Sequence, residues 1–525
     1  MRDFQLPGRS PVFATNGMCA TSHPLAAKVA VQILENGGNA VDAAIAAAVL
    51  LGICEPHMTG LGGDCFVLLK PPGQEQVLAL NGSGRAPKGI NAVDLRAKGL
   101  SNVPEWGIDT VTMPGAVDAF CRLSSDWGSA GLATSLAPAI RYAEEGVPVG
   151  PRTAFDWALR TRKLEGAAKK AYLLNGKAPV TGQMFRAPGQ AELLCKVAKK
   201  GRAGFYEGEV AEDLISSLQA AGGCHTQDDL AATACNWGDP ISGNYRGIEL
   251  CEHPPNGQGA TAILLLNILS HFDLGSLDPF GVERAHLEAE AAKLAYDARN
   301  RFIADLDRTT RLNHMLAPET ATRLAALIDP HRAMAAAAPL TEMVHKDTVY
   351  VTVVDKDRMA ISLIYSIFSA FGSGLCSAKY GVLYQNRGSG FNLKEGHPNE
   401  LAGGKRPMHT IIPGMIREGG QVTASFGVMG GAYQPCGHAR FVSNQVDFGM
   451  DAQTAIDGPR SFDDAGRMQV ERGYSDAVRS GLSALGHDVS IPEKPLGGAQ
   501  AILINNSGLL QGGSDPRKDG LALGY

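Results

Sequence analysis

Helical periodicities and an antiparallel hairpin, interleaved along 525 residues with no Pro/Ser/Gly-rich linker between them, predict an α+β chain folded as one large domain. Three observations carry this. Ala40 to Cys54 is apolar apart from Asp42 and is closed by Glu55-Pro56, the pattern of a buried helix. It is shorter than the roughly 20 residues a membrane span needs. Val349 to Val354 is β-branched or aromatic throughout, Asp355-Lys356-Asp357-Arg358 supplies turn chemistry, and Met359 to Ser366 returns as a second apolar run. That reads as a buried hairpin. A hydrophobic content of 44% against 19% charged residues suits a large core.

Taken in order, Pro24 to Asn36 has helical periodicity and stops at Gly37-Gly38, a glycine C-cap signal. Gly60-Leu61-Gly62-Gly63 is a turn feeding a strand from Asp64 to Leu69, and Val77 to Asn81 reads as a second strand. Thr112 to Val117 opens a helix and Leu136 to Gly146 closes another. Residues 151–210, with Arg152, Arg160, Arg162, Lys163, Lys169, Lys170, Lys199 and Lys200, read as a solvated helical face. Pro254-Pro255-Asn256-Gly257-Gln258-Gly259 is a loop before an apolar helix from Ala262 to Leu269. The long helix Val282 to Asp305 carries His286, Glu288 and Glu290. Their spacing is not His-Glu-x-x-His, so no metal is expected and His286 is read as a surface or core-edge residue. Leu316 to Leu340 is an alanine-rich connecting arm.

Several function classes fall away. The glycine turns lack Gly-Lys-Ser/Thr and a Gly-x-Gly-x-x-Gly between strand and helix, so no nucleotide cofactor is expected, and no other cofactor is implied. A net charge of -5 gives no general attraction to nucleic acid or anionic membranes. Met1 to Arg9 has no apolar signal core, which reads as cytoplasmic. Ten cysteines are scattered singly without a C-x-x-C pair, as in a protein with reduced thiols.

The chemistry centres on Thr348, at the start of the first hairpin strand. With the turn on Lys356-Asp357, Thr348 falls within about one residue of opposite Tyr365 or Ser366, which puts a hydroxyl beside it. A threonine hydroxyl is a weak nucleophile and needs a base. Downstream stand Phe371-Gly372-Ser373-Gly374, Gly381 to Asn386, Gly404-Lys405-Arg406-Pro407 and Gly427-Val428-Met429-Gly430-Gly431. Upstream stand Gly37 to Ala44 and Gly60 to Gly63. In these motifs and their order the chain resembles the gamma-glutamyltranspeptidase family of N-terminal nucleophile hydrolases. The resemblance implies a four-layer αββα sandwich and self-cleavage between Asp347 and Thr348. The products would be a large subunit, 1–347, and a small subunit, 348–525, forming one interleaved domain able to assemble into a homo-oligomer. It also implies Thr348 as nucleophile, Ser366 as the hydroxyl that orients it, and the Gly430-Gly431 amides as oxyanion hole. The α-amine freed by cleavage, near 7.7–8.0 when unperturbed, would be the base. Thr352, on the same strand, has no assigned role.

The substrate ligands depart from the family. Ser83 stands where an arginine holds the glutamyl α-carboxylate, and Arg85 is two residues away. Phe368 and Gly390 stand where the α-ammonium ligands belong. His409-Thr410 replaces a serine pair, and Arg387 replaces a neutral polar residue. The resemblance is therefore to the divergent branch that includes oxamate amidohydrolases and cephalosporin acylases. With Arg85, Arg387, His409 and Thr410 as candidate binding residues, a small amide with a carboxylate on its acyl group is the expected substrate, because arginine pairs bidentately with carboxylates. A γ-glutamyl compound, a longer dicarboxylic amide and a non-catalytic role are the alternatives.

Overall fold

The computed structural model of the protein describes residues 5, 8–334, 348–464 and 466–525. Two seven-stranded sheets stack on one another. One runs Val12–Ala14, Leu510–Ser514, Gly498–Ile504, Gln421–Met429, Gly414–Glu418, Ile248–Glu252, Ile241–Tyr245. The other runs Leu521–Gly524, Met18–Thr21, Val349–Val354, Ala360–Ser366, Asp64–Lys70, Leu78–Gly82, Asn236–Gly238. All neighbours in both are antiparallel. Each sheet mixes strands from before and after Thr348.

Strand periodicity sorts the side chains into layers. Val349, Val351 and Val353 pack outward with the helices Pro24–Glu35, Ala40–Cys54 and Ala116–Trp127. Phe426 and Val428 of the other sheet pack outward on Gly259–Leu269, Val282–Phe302 and Gln434–Val446. Between the sheets lie Met18, Leu68, Val354, Met415 and Ile502. The order is α, β, β, α, as expected. Thr352 joins the two sheets, its hydroxyl donating to Ser425 Oγ at 2.7 Å.

The central helix is buried along all of Ala40–Cys54. Asp42 fits there because it completes a capping box with Asn39 and also accepts from the N–H groups of Ser129 and Ala130. Each fully buried aliphatic side chain contributes about 1.5–3 kcal/mol, so Leu51→Asp would strip one such contribution and bury an unpaired charge.

Five readings need adjustment. The strand read at Val77 is Leu78–Gly82, the helix read at Ala262 begins at Gly259, and the long helix ends at Phe302, where Ile303 turns extended. The basic stretch is only partly a solvated face: Lys169, Lys170, Lys199 and Lys200 are exposed, but Arg152 is paired with Asp156 at 2.7 Å. Lys163 is buried beside Glu105 and the Trp106 ring. The arm begins as a helix, Pro318–Ala325, and Met334 is fixed by its N–H to Glu290 Oε2 at 2.8 Å. Its remainder, with Asp347, lies outside the described residues. Among the described residues no helix is long and apolar enough to cross a membrane. Cys54 and Cys65 are buried, which pushes both thiols well above their ordinary range and rules them out as thiolate nucleophiles at neutral pH.

Candidate active site

Thr348 immediately precedes the strand Val349–Val354, and the register Val349↔Tyr365 puts it opposite Ser366. By alternation its side chain shares the inter-sheet face with Tyr350. It is 1% exposed, and its hydroxyl points at Ser366 Oγ, 3.5 Å away. Ser366 Oγ in turn accepts from the Phe368 N–H at 2.8 Å and from Arg387 Nη2 at 3.4 Å. The Gly62-Gly63 turn is what lets the neighbouring chain come so close. A Cβ on Gly63 would stand 2.3 Å from the Ser366 carbonyl oxygen, and one on Gly62 2.0 Å from that of Leu383.

Arg387 dominates the electrostatics. It is wholly buried, its guanidinium lies 3.9 Å over the Phe368 ring, and it donates to Thr410 Oγ1 at 3.2 Å. Among the described residues it has no ion pair within 4.0 Å, and its Nε has no partner. Burial pushes the guanidinium down to about 9, with Asp64 opposing from farther off. A buried cation of this kind favours an anion brought to it.

On the other side of Thr348, the strand Gln421–Met429 ends in Gly430 and Gly431, with φ of 120° and 55°. Both values suit glycine, and a Cβ on Gly430 would also stand 2.9 Å from Gly497 Cα. Thr348 and Gly430 line one cleft, together with Arg152, Lys494 and Lys518. Among the described residues neither glycine N–H donates to another backbone group. Two adjacent amides without a backbone acceptor, one of them lining a cleft with Thr348, are the kind of donors an oxyanion hole uses.

Of the predicted binding residues, Thr410 stands beside Arg387. His409 turns to Asp64 instead: Nε2–H donates to Oδ2 at 3.0 Å while Nδ1 accepts from the Ile411 N–H. Burial, and next the Arg387 charge, push it down to about 3, so it is a neutral imidazole. Arg85 is spoken for elsewhere, ion-paired with Asp305 at 3.1 Å, donating to the Gly404 carbonyl and with a half-exposed side chain. Ser83 is buried in a polar net with Asn81 and Asn256.

Two groups in this site went unassigned from sequence. Asp64 organises the wall, accepting from the Gly84 N–H and Gln385 Nε2 besides His409. Gln258, read only as part of a loop, is buried against the glycine pair. The available signal was two amides, Asn256 and Gln258, separated by glycine in front of an apolar helix.

His286 is fully buried, contrary to the surface or core-edge reading, because the chain around His487 covers that face of its helix. His286, Glu290 and His487 bring three possible metal-ligand side chains together. Most of their polar atoms are engaged with protein groups, while the buried His487 Nδ1 has no hydrogen-bond partner among the described residues. His286 Nδ1 and His487 Nε2 share a hydrogen bond of 2.7 Å, and Glu290 holds the Lys293 ammonium at 2.8 Å as well as the Met334 N–H.

Comparison with known proteins bears on the family and the fold. The sequence model described as gamma-glutamyltranspeptidase matches residues 26–525. A Bacillus subtilis protein named glutathione hydrolase-like YwrD proenzyme is 37% identical over 98% of this chain and 99% of its own length. A Klebsiella pneumoniae oxamate amidohydrolase proenzyme is 33% identical over the same shares. The crystal structure of a cephalosporin acylase from Bacillus halodurans superposes with a TM-score of 0.92 at 36% identity, covering 100% of this chain and 99% of that one.

Proposed function

Since the chain belongs to the gamma-glutamyltranspeptidase family and is an N-terminal nucleophile amidohydrolase, we propose that it cuts itself between Asp347 and Thr348 and then hydrolyses amides whose acyl group carries a carboxylate. The observation that carries this reading is Arg387, a buried guanidinium with no ion-pair partner among the described residues, touching the hydroxyl that faces Thr348. The substrate carboxylate pairs with Arg387 and the scissile carbonyl lies over Thr348. The hydroxyl attacks, its proton passing to the freed α-amine, and the Gly430 and Gly431 amides receive the oxyanion. Collapse expels the amine with that proton, and water releases the acid from the Thr348 ester.

The same charge argues against γ-glutamyl substrates. An α-ammonium would meet the Arg387 charge, with Phe368 and Gly390 standing where the family supplies a neutral and an acidic ligand. Oxamate is the smallest amide that fits the description, and it is what one of the relatives is named for. The test is ammonia release from oxamate and longer dicarboxylic monoamides, beside amine release from glutaryl and γ-glutamyl anilides. Carboxylate amides should be preferred. Efficient γ-glutamyl hydrolysis that survives Arg387→Met would refute the assignment.

A further inference from the structure

Thr348 and the glycine pair lie after the proposed cleavage point, yet the oxyanion turn is gripped by residues that lie before it. Gln258 Nε2 donates to the Gly431 carbonyl at 2.9 Å and to the Thr410 carbonyl at 2.6 Å. Its Oε1 accepts from Arg299 Nη1 at 2.8 Å. An arginine only donates, so this contact fixes which end of the amide is oxygen, and both Nε2 hydrogens then meet carbonyls. Both donors and one acceptor site of the side chain are thus used in a single orientation. Flanking glycines make the approach possible: a Cβ on Gly259 would stand 2.5 Å from the His253 carbonyl oxygen.

The consequence falls on Gly431. Its preceding peptide is held because the Gly430 carbonyl accepts from the Tyr433 N–H at 3.1 Å. Its following peptide is held because the Gly431 carbonyl accepts both from the Gln434 N–H and from Gln258 Nε2. With both flanking peptides fixed, the left-handed backbone of Gly431 and the direction of its N–H are fixed too. One step on, the Tyr296 hydroxyl donates to the Ala432 carbonyl, from the same helix as Arg299. The second Gln258 contact ties this turn to Thr410, the residue beside Arg387.

We propose that Gln258 is a positioning residue for the oxyanion hole, setting the distance between the Gly430-Gly431 amides and the Arg387 acyl pocket across the two chains produced by self-cleavage. This rests on the reading of the site above. A donor held out of place loses much of what it contributes to the transition state while leaving ground-state binding to Arg387 intact.

The experiment compares matured parent, Gln258→Glu and Gln258→Met. Glu keeps the Arg299 contact and loses both donors, and Met keeps the volume. On the preferred carboxylate amide both variants should lose roughly 10- to 10²-fold in kcat with KM within about threefold. Unchanged kcat, or a loss confined to KM, overturns the proposal. A readout independent of turnover is the affinity for an aryl boronic acid, whose tetrahedral adduct on Thr348 needs only the hydroxyl and the oxyanion pocket. Should the parent hydrolyse no carboxylate amide, the substrate reading fails while the boronate still decides. At least tenfold weaker binding by both variants supports the role of Gln258. Equal affinity, or no adduct on the parent, overturns it.

Discussion

Arg387→Met is the most informative single change, because a binding arginine and a structural one respond in opposite directions. Burial lowers the guanidinium from its ordinary high value to about 9. At 1.36 kcal/mol for each tenfold step this corresponds to about 4–5 kcal/mol of disfavoured charge. The folded value is depressed and the group is a cation, so above about 9 and up to the ordinary arginine value the unfolded chain binds more protons and stability rises with pH. At pH 7 the full cost is present, offset in part by bonds of 3.2 and 3.4 Å to Thr410 and Ser366. Methionine removes the charge and keeps most of the volume, so the variant should unfold at the same temperature as the parent or higher. It should also lose the anion partner. Truncating one side of a buried ion pair costs about 2–5 kcal/mol, hence roughly 30- to several-thousand-fold in kcat/KM. The assay is kcat/KM on matched glutaryl and valeryl anilides, alongside thermal unfolding with and without glutarate. The variant should fall on the glutaryl compound only, and glutarate should stabilise the parent only. A lower melting temperature combined with equal losses on both anilides would show that Arg387 is structural, and the carboxylate reading would fall with it.

Thr348→Ala should remain a single band on denaturing electrophoresis, where the parent gives chains 1–347 and 348–525; an active, intact parent refutes the processing scheme. Gly431→Val, forced to a φ of 55°, should cost about 10²-fold or more in kcat in a processed protein; normal kinetics would move the oxyanion hole elsewhere. The rate should rise with pH through the titration of the Thr348 amine, with no limb from His409, held down at about 3; a midpoint near 6 that vanishes in His409→Gln contradicts this. His23, His253 and His487 are likewise pushed down to about 4 by burial. The unfolded chain then takes up more protons as pH falls from about 6.5 toward 4, so thermal stability should drop across that window; a flat profile would refute the burial argument.

The hairpin was legible because both its runs and its turn are local. With the turn at Lys356-Asp357, the partner of Thr348 follows by counting, and the structure has Val349 opposite Tyr365. The helix Ala40–Cys54 was legible for the same reason, its composition alone requiring burial. Arg85 was not legible. Its partner Asp305 is 220 residues away, and nothing local distinguishes an arginine committed to such a pair from one facing a substrate. Gln258 was missed for the converse reason: its significance lies in two carbonyls, 152 and 173 residues distant, whose sequence identity is irrelevant to the bonds they accept. His286 shows the limit of motif spacing, since burial was imposed on it by a segment 201 residues away.

The topology also explains how a cut before Thr348 could create an ordered catalytic base in place of a frayed chain end. A free terminus must be ordered at about 1–2 kcal/mol per residue before its amine can sit beside a hydroxyl. Here that ordering is supplied by strand pairing on both sides. Val349–Val354 lies between Met18–Thr21 and Ala360–Ser366, and the Thr21 hydroxyl donates to the Tyr350 carbonyl at 2.8 Å. The new amine would belong to the residue next to that anchored strand, with its own hydroxyl already facing Ser366. Nor would the two chains part, since Leu521–Gly524 pairs with Met18–Thr21 and Gly414–Glu418 with Ile248–Glu252. Separation would require both sheets to come apart, so cleavage removes one covalent link and leaves the core that positions Thr348 intact.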